Sequence, residues 1–140
     1  MAVMFYFFYL FLFYSFVGWL IDSGYRSFLD RRWVRGGFSV LPFAPSYGLG
    51  AVFLFSLGPL VAPLPLAMQW MLLGFFFAAY EYTCGHLGVL LNKRRLWDYS
   101  GGFLNIHGHT DLLHAIYWAT LSLGVFHWFH PWLLEIFFKT

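Results

Sequence analysis

Residues 66–91 of the chain read LAMQWMLLGFFFAAYEYTCGHLGVLL, an apolar run that holds one acidic residue, Glu81. The run is far longer than a β-strand, and it exceeds the length of about 20 residues that a helix needs to cross a lipid bilayer. An ionised carboxylate in hydrocarbon costs roughly 2.5 kcal/mol or more. We therefore expect Glu81 to face protein or water, to pair with a base, or to carry a proton.

Three further apolar runs predict an all-α, polytopic integral membrane protein. They cover about residues 2–21, 44–61 and 112–130, and the first lacks the basic segment and cleavage site of a signal peptide. Of the 140 residues, 61% are hydrophobic and only 10% are charged, whereas a soluble domain has about 25% charged residues. We expect residues 1–140 to form a single domain of four transmembrane helices in contact with membrane lipid.

The basic residues predict the orientation of these helices. The loop after the first helix contains four arginines, and the loop after the third contains Lys93, Arg94 and Arg95. The turn between the second and third helices has no basic residue, and the C-terminal tail has only Lys139. Because cytoplasmic loops are enriched in Lys and Arg, we expect a multi-pass protein of a cell (inner) membrane, with both basic loops in the cytoplasm and both termini outside.

Small residues accompany two acidic residues at helical spacing. One stripe consists of Gly74, Ala78, Glu81, Gly85 and Gly88, and the other consists of Ser15, Gly18 and Asp22. Such stripes let another helix approach closely, so we expect the two stripes to meet and both acids to border one polar cleft. The alternative is structural: Asp22 pairs with Arg26 at i,i+4, and Glu81 is held by His114, Tyr82 or an arginine.

The two halves of the chain suggest a parallel repeat of two helix hairpins. In each half an acidic residue on a helix is followed by two arginines, a tryptophan and a Gly-Gly-Phe segment. These features lie at residues 22, 31–33 and 36–38, and at residues 81, 94–97 and 101–103. Chance is the alternative, because arginine and tryptophan are common at cytoplasmic interfaces. A true repeat would place Asp22 and Glu81 in related positions.

One stretch is rich in metal-ligating side chains and contains His107, His109, Asp111 and His114. These residues could hold an ion, or the stretch is a polar loop that enters a helix with Thr110 or Asp111 as the N-cap. A haem held by His86 and His114 on facing helices is a further alternative. The spacing of these residues favours neither the ion site nor the haem, so we expect no metal and no cofactor.

Motifs for other chemistries are missing from the sequence. It contains neither Gly-x-Ser-x-Gly nor the Gly-x-x-x-x-Gly-Lys phosphate loop, and its single cysteine, Cys84, lies in an apolar stretch that disfavours the thiolate. A net charge of +2 gives no indication of nucleic-acid binding. We therefore expect no enzyme. His127 and His130, one turn apart, are expected at the outer membrane interface.

Four segments resemble motifs of one membrane-protein family. They are Gly18-Trp19-Leu20-Ile21-Asp22, residues 37–50, Glu81-Tyr82-Thr83-Cys84-Gly85, and Trp97-Asp98-Tyr99-Ser100 followed by Asn105 and Gly108. The family is that of the ABC-transporter type IV, or CmpB-like, proteins, and the resemblance covers about residues 5–131. The chain departs from the family pattern at residues 107–109, where His-Gly-His replaces Asn-Gly-Arg. A fixed cation there becomes a titratable one.

The resemblance implies a permease-like membrane subunit of a transporter, with a separate cytosolic ATPase as the source of energy. Four helices enclose little volume, so we expect a homo-oligomer or a partner membrane subunit. In this interpretation Glu81, Asp22 and His114 line the substrate path, and the loop motif of residues 97–108 forms a cytoplasmic gate. The alternatives are a non-transporting scaffold or accessory protein, and a small His-dependent metal or haem protein.

Overall fold

The structure, a computed structural model, describes residues 2–37 and 40–138. Two compact units, Met1–Ser56 and Leu57–Thr140, divide the chain. The prediction of an all-α protein is confirmed: the described residues form helices and no β-strand, apart from one isolated antiparallel bridge between Ile106 and Thr110. Phe38 of the proposed repeat and Lys139 of the C-terminal tail lie outside the described residues.

The first unit contains helix α1, Ala2–Asp30, and most of helix α2, Pro45–Val61. Helix α1 continues well beyond residue 21, where the apolar run ends, because Arg26 Nε donates to both carboxylate oxygens of Asp22 at 3.1 Å, one turn back. The helix ends where Arg31 adopts a left-handed conformation with φ of 51°. The arginines of the first basic loop are therefore divided between the helix and the loop.

Close contacts in the first unit fill the stripe of small residues on α1. The chain returns along α1 after residue 31, and Ala44 N–H donates to the carbonyl of Ser15 at 2.9 Å. A Cβ at Gly18 would overlap the side chain of Tyr47, and a Cβ at Gly48 would overlap Ser15. The stripe thus contacts the segment that follows it in the same unit.

The second unit contains α3, Leu66–Asn92, and α4, Leu112–Gly124, followed by a π-helix and α5, His130–Phe138. Helices α3 and α4 pack closely because Gly74 faces Ala119, where an added Cβ would lie 3.1 Å from the Ala119 methyl. The Phe77 and Trp118 rings stack across the same interface with centroids 5.8 Å apart. The small-residue side of α3 therefore faces α4.

The π-helix, Val125–Phe129, interrupts the last helix shortly before Pro131. Proline clashes with the carbonyl four residues before it, and a π turn is one way to accommodate the misfit. Within this turn the Nε2 atom of His127 lies 2.7 Å from Oε1 of Gln69, and His130 is only 4% exposed. The position of both histidines at the outer membrane interface stays a prediction.

Among the described residues, two helical segments are long and apolar enough to cross a membrane, Val3–Asp30 and Leu112–Phe137, and Pro45–Val61 is a shorter apolar helix. In their most apolar stretches only 22% and 17% of the residues are buried, whereas the core helix of a soluble protein is mostly buried. Helix α3 carries Gln69, Glu81 and His86 and is not among these segments. The four-helix transmembrane topology and the repeat stay predictions.

Candidate functional site

The candidate site of the second unit is centred on Glu81, which is 5% exposed on the side of α3 that faces α4. The side chains of Trp118, Thr110, His114 and Asp111 lie close to its carboxyl group. Even so, Oε2 of Glu81 and Oγ1 of Thr110 are both buried without a hydrogen-bond partner of good geometry among the described residues. Buried polar atoms are nearly always paired, so two such atoms in one cluster need an explanation.

Asp111 and His114 form a buried pair beside Glu81. Asp111 is the N-cap of α4: its Oδ1 atom accepts from the backbone N–H of His114 at 2.8 Å and lies 2.7 Å from Nδ1 of the same residue. Because a carboxylate only accepts, Nδ1 carries the proton of this bond. The imidazole also stacks on the ring of Tyr99, with centroids 3.6 Å apart. The expectation of an N-cap at Thr110 or Asp111 is confirmed for Asp111.

The loop between α3 and α4 is held together by the motif residues 97–100. Oδ1 of Asp98 accepts from the backbone N–H and the hydroxyl of Ser100, and from Nη1 of Arg95 at 3.1 Å. The hydroxyl and amide of Ser100, and then the guanidinium of Arg95, lower the pKa of Asp98. The indole N–H of Trp97 donates to the carbonyl of His109 at 2.8 Å. The motif residues therefore bind one another and the loop backbone, and Asp98 forms an ion pair with Arg95.

Asn105 and Gly108, the remaining motif residues, complete this closure. The Asn105 amide donates to the carbonyls of Ser100 and Gly102, both at 3.0 Å, and its Oδ1 atom accepts from the N–H of Gly108 at 3.2 Å. Gly108 has φ of +70°, and a Cβ there would overlap Asp98 and its partners. A Cβ at Gly102 would overlap the Asp111 carboxylate, so the loop also abuts the cap of α4.

The candidate metal ligands do not converge. His107 Nδ1 lies 3.0 Å from the Tyr82 hydroxyl, and Tyr82 stacks on His86. His109 is 6% exposed and packs against Gly85, and burial together with the charge of Arg95 lowers the pKa of its imidazole. No group of three or more His, Cys, Asp or Glu in the described part of the chain is arranged to hold a metal ion. His86 and His114, the pair considered for a haem, have separate ring partners.

Asp22, the second predicted path residue, lies in a different environment in the first unit. Its Oδ2 atom accepts from the N–H of Gly37 at 2.9 Å in addition to the bonds from Arg26. The neighbouring Ser23 hydroxyl accepts from the N–H of Gly36 at 2.8 Å. Asp22 therefore stabilises the turn after α1, and a cleft shared with Glu81 stays a prediction.

Sequence reasoning missed two neighbours of Glu81. The sequence analysis assigns no role to Trp118, although Trp118 lies four residues after His114 and therefore on the same side of α4 as His114. Thr110 was considered only as a helix cap. The spacing of Trp118 could have been recognised, whereas the position of Thr110 depends on the path of the loop.

A family model described as "Putative ABC-transporter type IV" matches residues 9–140. The chain belongs to this family. The match includes most of α1, the loop motif and the Glu81 cluster, and the family name associates the chain with ABC transporters. No curated protein and no solved structure matches this ABC-transporter type IV chain significantly.

Proposed function

We propose that this chain is a permease-like, multi-pass subunit of an ABC-type transporter, and that the Glu81 carboxyl is the polar centre of its path. The observation that carries the proposal is the pair of unsatisfied atoms, Glu81 Oε2 and Thr110 Oγ1, in a buried cluster. A carboxyl group retained only for packing would be fully hydrogen-bonded, because a half-satisfied buried network is costly.

The chemistry of the cluster suits a small polar solute or a water that accompanies it. Oε2 of Glu81 accepts hydrogen bonds, and the Thr110 hydroxyl can donate or accept one. The Trp118 indole and the Asp111–His114 pair keep the surrounding side chains in place. A group with two hydrogen-bond donors, or with one donor and one acceptor, would satisfy both unpaired atoms, and it would find few competing partners in an apolar helix pair.

The supply of energy and the assembly follow from what the chain contains. The sequence has no nucleotide-binding loop, so an ATPase would have to be a separate cytosolic protein. Two or more helices of a second copy or a partner subunit would be needed to enclose a path. The loop of residues 97–108 contacts the α4 cap through Gly102 and Asp111, which suits a cytoplasmic gate that responds to such a partner. In this arrangement the protein lies in a cell inner membrane with both termini outside.

Counterflow in proteoliposomes tests the proposal without an energy source. Purified protein would be reconstituted and offered a panel of radiolabelled amino acids, sugars and organic cations. We expect exchange of at least one class by the natural chain, and a loss of about tenfold or more with Glu81→Ala and Glu81→Gln, as is typical when a buried hydrogen-bonded charge is removed from a binding site. Thr83→Val is the matched control, because Thr83 is exposed on the same helix and its hydroxyl bonds only to the carbonyl of Ala79.

Two results would contradict the proposal. Unchanged exchange by both Glu81 variants would remove the carboxyl from the path. Failure of the correctly folded natural chain to exchange any solute would favour the second candidate, a non-transporting scaffold or accessory protein. That candidate is supported by Asp22 and Asn105, since both use their polar atoms for local structure. Asp22 binds Arg26 and the Gly37 N–H, and Asn105 binds the carbonyls of Ser100 and Gly102.

A further inference from the structure

The tip of the loop between α3 and α4 exposes three large apolar side chains. Phe103 is 75% exposed, Leu104 66% and Ile106 54%. They are consecutive except for one polar residue, Asn105, and they belong to a loop whose backbone is fixed by many hydrogen bonds. An apolar cluster on a rigid support is typical of a surface that meets another apolar phase.

Asn105 does not interrupt this surface, because its side chain is used inside the loop. Its amide donates to the carbonyls of Ser100 and Gly102, and its oxygen accepts from Gly108. The polar residue of the tip thus stabilises the fold of the loop, while its neighbours on either side remain exposed.

Leu104 adopts a backbone conformation that leucine disfavours, with φ of 53°. Glycine or asparagine occupies this left-handed region at lower cost. Inside the chain the Leu104 side chain gains little in return, since most of it is exposed. A leucine at this position is understandable if its side chain is buried by something outside the chain.

The tip lies level with the start of a candidate membrane span. The backbone N–H of Leu112, the first residue of α4, donates to the carbonyl of Phe103 at 3.2 Å. Leu112 and Leu113 are 42% and 49% exposed and begin the apolar segment Leu112–Phe137. The apolar tip is therefore continuous with the first lipid-facing turn of that segment.

Cations lie at the other end of the same loop. Lys93 and Arg94 follow α3 directly, and both are exposed. Cationic side chains and an apolar surface on one loop are the combination that binds the interface of a bilayer containing anionic lipids.

We propose that Phe103, Leu104 and Ile106 insert into the interfacial region of the lipid bilayer, with Lys93 and Arg94 against anionic headgroups. The loop then acts as a lateral membrane anchor for the start of α4. This inference holds whether or not the chain transports a solute, because it depends only on the membrane position of α4.

Spin labels in the loop test the insertion directly. Single cysteines would be introduced as Phe103→Cys and Ile106→Cys in a Cys84→Ser background, labelled with a nitroxide, and reconstituted in vesicles of neutral and anionic phospholipid. Gly101→Cys is the matched control, because Gly101 is exposed in the same loop and a Cβ there would have no heavy atom within 4 Å. Collision rates would be measured with oxygen, which concentrates in lipid, and with a water-soluble nickel chelate.

We expect the labels at residues 103 and 106 to collide more with oxygen than with the chelate, and the label at residue 101 to show the reverse. Greater collision with the chelate at all three sites would place the tip in water and overturn the proposal. Low collision with both reagents at residues 103 and 106 would show that protein covers the tip, which would overturn it as well. Only variants that elute like the natural chain in size-exclusion chromatography in detergent are compared. A result at either residue 103 or residue 106 is sufficient to decide the proposal.

Discussion

Replacing Asp111 with alanine is expected to weaken the junction between the loop and α4. The carboxylate caps the helix through the His114 backbone N–H at 2.8 Å and binds the His114 imidazole at 2.7 Å. Loss of the N-cap bond to the backbone N–H costs about 0.5–2 kcal/mol, and removal of the partner of the imidazole Nδ1–H costs about 1–3 kcal/mol. We therefore expect Asp111→Ala to lower the free energy of unfolding by about 1.5–5 kcal/mol.

The companion variant Asp111→Asn separates the contribution of the helix cap from that of the bond to the His114 imidazole. Asparagine caps a helix about as well as aspartate, but its oxygen forms a neutral hydrogen bond with the imidazole instead of a charge-assisted one. The expected loss is about 1 kcal/mol. Both values would be measured by reversible unfolding of purified protein in mixed detergent micelles, with helicity followed by circular dichroism.

A double-mutant cycle with His114→Ala provides the control. Once the imidazole is absent, Asp111→Ala removes only the cap, so its cost should fall to about 1 kcal/mol. Equal costs of Asp111→Ala in the two backgrounds would refute the pairing. A loss below about 0.5 kcal/mol in the natural background would refute the role of Asp111 altogether.

Two further predictions concern His109 and its neighbour on α3. Burial lowers the pKa of His109, so the unfolded chain takes up a proton at higher pH than the folded chain. The free energy of unfolding should therefore be independent of this group above about pH 6.5 and should decrease as the pH falls below that value. His109→Gln should flatten this slope in unfolding measured from about pH 7 to about pH 5, and an unchanged slope would assign it to another group. Gly85→Ala should cost about 1–3 kcal/mol, because the new methyl would lie 2.8 Å from Nδ1 of His109. Gly24→Ala, with nothing within 4 Å, should instead stabilise the protein by about 0.5–1 kcal/mol, and equal stabilities would contradict the predicted clash.

The helices could be predicted from the sequence because each depends on a local signal. The apolar run at residues 66–91 corresponds closely to α3, Leu66–Asn92, since proline precedes it and polar residues follow it. The apolar run at residues 2–21 does not indicate where α1 ends, because the helix continues through polar residues to Asp30. A helix continues through polar residues when i,i+4 pairs such as Asp22 and Arg26 support it.

The neighbours of the buried carboxyl could be predicted only where they share a helix. The i,i+3 and i,i+4 pattern on α3 predicts the side of the helix on which Glu81 lies. It gives no information on Thr110, which reaches that side because the preceding loop is closed by Asp98 and Asn105. The hydrogen bond from His127 to Gln69 joins residues 58 positions apart, and no local pattern encodes such a pair.

The π-helix at Val125–Phe129 has one more consequence. Compared with an α-helix it accommodates an extra residue in one turn, and each residue corresponds to about 100° of rotation. Removing a single residue from this segment would restore an uninterrupted α-helix and leave the later side chains on nearly the same side of the axis, because the wide turn absorbs the surplus residue. His130 and Leu133, both now buried, would stay in the protein interior. The same deletion within α4 would instead rotate both side chains by about 100°, so loss of one residue should be tolerated at the π-helix and not in the helix before it.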